Sequence, residues 1–255
     1  MESEPAGAVA LWHDIAGGGV AVRQPNSETG KGHDQQPRRE PETFCQAPAQ
    51  FIVETYFTLR LVIAGAAILL PAALLAWVAI DPGLQMMDSI SAFYYTPARS
   101  LFVGTLVAIG VALVAYRGYT RGENLLLNAA GALAIVAALF PTVDPAVPGQ
   151  TPASVIHAVA AVAFFVLAAL SIFFYGDETV GALPNAQLRR RYHRIYRVLT
   201  ALVLVLPLCA LVVSWLVDSG AALFAVEAVT LLAFAAFWLV KTHELARSHR
   251  QMRVV

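Results

Sequence analysis

Charge is scarce in this 255-residue chain: Asp, Glu, Lys and Arg together make up 13%, about half the share usual in a soluble domain. The charge that is there cancels, with 17 basic and 17 acidic side chains. Nucleic-acid binders need a basic surplus, so that partner is excluded. Cysteine is nearly missing as well. Cys45 and Cys209 lie in unlike contexts and build neither a disulfide framework nor a four-ligand zinc finger. No P-loop, Rossmann glycine pattern or CxxC occurs, and no serine has a G-x-S-x-G context. Of the six histidines, only His157 falls on the side of the membrane away from the basic loops. It lies about a membrane thickness from His243, too far for ligands that must sit about 2 Å from one zinc. That spacing argues against the membrane zinc amidase superfamily. Lys241 falls at a helix edge rather than mid-helix, where a retinal Schiff base would need it. The sequence therefore points to no cofactor and no metal.

What is present is apolar: 58% of residues are hydrophobic, and the mean hydropathy is +0.64. Residues 1–50 stand apart, with Gly17-Gly18-Gly19, five prolines and mixed charges. That composition predicts a disordered leader. Its first charged residues are acidic, unlike a signal peptide. Six apolar stretches follow, at 60–80, 98–117, 124–141, 153–175, 198–217 and 221–241. Each comes near the ~20 residues that an α-helix needs to span ~30 Å of hydrocarbon. A barrel would alternate in short segments. The expected fold is all-α: a polytopic six-helix bundle over 51–250, behind the leader.

Sixteen of the seventeen basic residues lie in the leader or at the start of the first apolar stretch, in the 118–123 and 176–197 connections and their margins, or from the end of the last stretch onward. The exception is Arg99. The positive-inside rule places both termini in the cytoplasm of a cell (inner) membrane. Pro71 and Pro207 are expected to kink helices one and five. Gly104 with Ala108, and Ala130 with Ala134 and Ala138, recur at the spacing that lets helices approach closely. The segment Asn185–Leu199 is basic and amphipathic, which suits a topological anchor or an anionic-lipid surface.

The outer connection, DPGLQMMDSISAFYYTPARS over 81–100, mixes apolar and hydroxyl side chains. An interfacial or re-entrant lid fits this mixture, with Tyr94 and Tyr95 at headgroup level. His157 lies about one turn, and Glu227 about two turns, inside the outer ends of their helices, roughly 7–10 Å deep. An ionised Glu at that depth is costly unless paired or wetted. Arg99 needs an acid, with Asp88, Asp144 and Glu227 available. These residues predict a ligand-binding pocket formed by Arg99, Asp144, His157 and Glu227, with Ser91, Tyr94 and Tyr95 at its mouth. Asn128 is expected to bond across helices.

The stretches SISAFYYTPARSLFVG (89–104), AYRGYTRGENLLLNAAGALAIVAALFPT (115–142) and FWLVKTHELARS (237–248) resemble a family of bacterial six-helix integral inner-membrane proteins of uncharacterised activity. The resemblance covers about residues 51–250. It implies a shared fold and a shared site at Ser91, Tyr95 and Arg99. In that family an acid is expected after this arginine, where Ser100 stands here. Three functions are compatible with the sequence: binding or transport of a small molecule or lipid, lipid modification by an enzyme using His157 and an acid, and a structural or assembly role.

Overall fold

The structure, a computed structural model, describes residues 43–147, 149–183, 185–216 and 220–252. The expected leader over 1–50 falls mostly outside them; where the chain is described, from Thr43, it is already helical. From Phe44 onward it forms one compact unit. Six α-helices make up the described fold: α1 (Thr43–Ile80), α2 (Arg99–Ala115), α3 (Arg121–Leu139), α4 (Pro152–Tyr175), α5 (Ala186–Leu216) and α6 (Gly220–Met252). Short 3-10 turns cover Ser91–Tyr95 and Val180–Ala182. Among the described residues there is no strand.

Local chemistry sets the helix starts. Thr120 accepts the Glu123 N–H at the head of α3. Thr151 and Ser154 form a reciprocal capping box on α4, with Pro152 in its first turn. Both arrangements satisfy N–H groups that no preceding turn can reach. α5 begins at Ala186, twelve residues before the apolar run, because Gln, Leu and Arg are good helix formers and nothing there breaks the helix. α6 likewise runs on past residue 241. α1 and α5 continue through Pro71 and Pro207 without interruption.

Five helices are long and apolar enough to cross a membrane; α2, at 17 residues, is the short one. Its length is about 25 Å. Large apolar side chains face outward along the helices, among them Leu69, Val111, Leu125, Val159 and Val205. A surface of this kind is a liability in water and the natural contact surface in lipid. Inside, Ile63, Ala67, Leu70, Ile109, Leu113, Phe164, Phe234 and Trp238 form one continuous core.

Consecutive helices pack antiparallel, which residue pairs at their ends reveal. The start of α4 meets the end of α3 through His157 and Phe140, and the start of α5 meets the end of α6 through Tyr192 and His243. α2 and α3 come closest at Gly110 and Gly131. A Cβ on either glycine would stand 2.6 Å from the other's carbonyl oxygen. Ala130, Ala134 and Ala138 are fully buried. Gly104, by contrast, has open space around it, so the small-residue spacing at Gly104 and Ala108 marks no close approach there.

Candidate functional site

The connection between α1 and α2 folds back onto the bundle. The Phe224 N–H at the start of α6 donates to the Asp88 carbonyl (2.9 Å). Ser89 Oγ accepts the Ala92 N–H (3.0 Å) and shares a hydrogen bond with Ser91 Oγ. Glu227 Oε2 accepts the Ile90 N–H at 2.6 Å, and the Ser91 N–H bonds the same carboxylate. These are the unpaired donors at the head of the 3-10 turn, and an acid is the group that suits them. Phe93, fully buried, packs edge-on against Phe224. Tyr95 donates to the Thr142 carbonyl (2.8 Å). The segment is thus tied to α6 by a carboxylate and to the α3–α4 connection by a phenol.

Below this turn lies a cavity of about 80 Å³. Side chains from α1, α2, α3, α4 and α6 line it, together with Ile90 and Ser91. Its polar groups are Ser91, His157 and Glu227; the rest of the lining is Leu, Ile, Ala and Phe. His157 is buried. Its Nδ1 donates to the carbonyls of Ala137 (2.7 Å) and Phe140 (3.0 Å). Carbonyls only accept, so Nδ1 carries a proton. The ring is thereby held in place by the last turn of α3.

The structure brings Ser91, His157 and Glu227 together and leaves the other expected site residues outside the lining. Arg99 is exposed and lies 4.0 Å over the Tyr94 ring, with a hydrogen bond to the Tyr94 hydroxyl. Among the described residues no salt bridge joins it to Asp88, Asp144 or Glu227. Residue 99 opens α2, whereas the wall of the cavity begins one turn deeper at Phe102. Asp144 Oδ1 caps its own turn through the Ala146 N–H (2.8 Å). Tyr94 is buried and Tyr95 is 42% exposed, so only one of the two rings reaches the surface. Asn128 makes no bond across helices from its buried Oδ1, which has no partner among the described residues.

The opposite end of the bundle holds a charged cluster that sequence reasoning missed. Arg60, Glu123, Lys241 and Glu244 are all buried. Lys241 Nζ donates to the Gly176 carbonyl (2.7 Å), to Thr179 Oγ1 (2.7 Å) and to Glu244 Oε2 (3.5 Å). Glu244 also accepts from Thr179 Oγ1 (2.6 Å) and from the Tyr196 hydroxyl. Glu123 Oε2 accepts the Tyr119 N–H (2.6 Å). Arg60 donates to the Tyr116 hydroxyl through Nε (3.1 Å) and Nη2 (2.9 Å). Burial raises the Tyr119 pKa against the opposing pull of Arg60, so its phenol stays neutral and accepts from Arg60 Nη2 at 3.4 Å. Two cations and two anions cancel, and each has hydrogen-bonding partners. Such a cluster ties α1, α3, α5, α6 and the two adjoining connections into one closed end. The signal in the sequence was four ionisable residues within about two turns of the same boundary.

Among the described residues, no group of three or more His, Cys, Asp or Glu could hold a metal ion. No family model, curated protein or solved structure matches the chain.

Proposed function

We propose that this chain is an integral inner-membrane protein with six crossings. Its cavity, open to the outer side, binds or transports a small, largely apolar molecule or the end of a lipid. Five helices have the length and composition to cross. α2 packs antiparallel along α3 and meets it at mid-length, which supports a sixth crossing. The positive-inside rule supports an outward-facing cavity, since the basic connections lie at the other end.

The observation that carries the ligand reading is the cavity lining. Among the described residues it holds Glu227 and His157 from separate helices and no Lys or Arg. A carboxylate in such surroundings is complemented by a hydrogen-bond donor or a cation. The favoured ligand therefore has an apolar body and one protonated amine or hydroxyl. At about 80 Å³, the space is below the ~300 Å³ of drug-sized sites, which favours a small ligand or the tip of a longer chain. Ser91 Oγ, the hydroxyl in the lining, bonds Ser89, with no bond to His157 or Glu227. Lipid-modifying catalysis ranks behind binding for that reason.

Thermal unfolding of the purified protein in detergent, titrated with short n-alkylammonium ions, tests this reading. Stabilisation by the ammonium series should vanish in Glu227→Gln. Equal stabilisation by matched alkyl carboxylates, or an unchanged response in Glu227→Gln, would overturn it.

A further inference from the structure

α5 has 31 residues and α6 has 33, about 46 and 50 Å of helix. Hydrocarbon accounts for only ~30 Å of each. About 20 residues of α6 bring the chain from Gly220 to Leu239, so the turns after Leu239 stand at headgroup depth and beyond. The excess of α5 is its first turns, which carry the arginines. These two projecting ends lie side by side, fastened by the Tyr192 hydroxyl and His243 Nδ1 (3.1 Å).

Between them runs a hollow of about 300 Å³. Its floor is apolar, formed by Leu188, Ile195, Leu239 and Val240, and its cations are Arg191 and Arg247. Both arginines are exposed, and both lie close enough to act electrostatically on the buried Tyr192. A second hollow, of about 490 Å³, shares Leu188 and Arg191 and adds Arg190 and Arg194. Among the described residues neither lining contains an acid. Ile195, Leu239 and Val240 thus form an apolar shelf at the hydrocarbon boundary, with Arg191 and Arg247 one to two turns further out.

We propose that this shelf between the start of α5 and the end of α6 is a binding site for one anionic phospholipid. Its phosphate lies between Arg191 and Arg247, and an acyl chain runs from there toward the hydrocarbon along Ile195, Leu239 and Val240. Charge complementarity selects the anion, and the apolar floor selects a lipid over a soluble phosphate. The inference rests on the membrane placement of the helices and is independent of the cavity around Glu227.

Native mass spectrometry of the full chain released from nanodiscs tests it. Discs of phosphatidylcholine doped with phosphatidylglycerol should yield one retained phosphatidylglycerol, in preference to phosphatidylcholine. Each of Arg191→Gln and Arg247→Gln should weaken retention about fivefold, from about 1 kcal/mol per surface cation. Arg191→Lys should keep most of it. Arg117→Gln removes an exposed cation at the same end but outside the shelf, and should leave retention unchanged. An equal loss in Arg117→Gln would mean diffuse attraction and overturn the site. Equal retention of phosphatidylcholine would overturn it too, as would displacement of the lipid by millimolar inorganic phosphate. Thermal unfolding of each variant in detergent separates loss of binding from loss of fold.

Discussion

Glu227 meets two demands at once. It closes the head of the 3-10 turn through Ile90 and Ser91, and among the described residues it is the acid of the cavity lining. The two demands separate by substitution. Glu227→Gln keeps an acceptor for the Ile90 N–H and should lose about 1 kcal/mol of stability or less. Glu227→Ala leaves those donors unpaired and should cost about 1–3 kcal/mol. Denaturant unfolding in detergent reads the difference, and equal losses would show that the turn does not depend on the carboxylate. Lys241 presents the opposite problem at the other end, where it is almost fully buried beside Glu244. Removing one member of a buried pair strands the other, at about 3–5 kcal/mol. Lys241→Met should therefore be severely destabilised. Adding Glu244→Gln should recover a good part of the loss, because the glutamine still accepts from Thr179 or Tyr196 without a stranded charge. A double-mutant cycle measures this coupling. Strict additivity would mean that the pair is not a unit.

Among the helices, contact between α2 and α3 is decided by two glycines. No side chain fits between Gly110 and the Gly131 carbonyl without moving backbone. Gly131→Val should cost about 1–3 kcal/mol through overpacking and enforced separation of the helices. Gly104→Ala meets nothing within 4 Å and should be neutral or slightly stabilising, by up to about 1 kcal/mol, since alanine is the better helix former. Thermal unfolding of the two variants provides the comparison, and a Gly104→Ala loss equal to that of Gly131→Val would contradict the packing. A list of small residues spaced by four contains both kinds of glycine. Only the crossing geometry tells them apart. α5 and α6 likewise continue into polar sequence by helix propensity, which hydropathy does not report.

For the molecule as a whole, α2 decides the number of crossings. At 17 residues it is about 25 Å long, a little under the hydrocarbon thickness. If α2 crosses, the α1–α2 connection and the α2–α3 connection lie on opposite sides of the membrane. In a chain with Cys45 and Cys209 replaced by serine, Gln85→Cys and Ala146→Cys should react with an impermeant thiol reagent on intact cells. Arg117→Cys and Gln187→Cys should react only after permeabilisation. Labelling of Gln85→Cys and Arg117→Cys from one side would remove the sixth crossing. Protection of Ala146→Cys with exposure of Gln187→Cys would invert the orientation drawn from the basic residues.

Helical class and the number of apolar segments were legible in the sequence by itself, because a bilayer leaves the backbone few ways to satisfy its hydrogen bonds. The placement of basic residues predicts an orientation, which the labelling experiment tests. Part of the cavity was legible too. Depth along a helix follows from counting residues, and so His157 and Glu227 stood out as a pair. What counting omits is rotation about the helix axis and the path of a connection. Arg99 joined them as a cation in need of an acid, yet it stands exposed over the buried ring of Tyr94. Lys241, Glu244, Glu123 and Arg60 are scattered over nearly 200 residues of sequence, with no sequence motif to join them. Only the tertiary structure brings them together, since a buried charge finds its partners through whichever helices lie beside it, and that adjacency is not a property of any one segment.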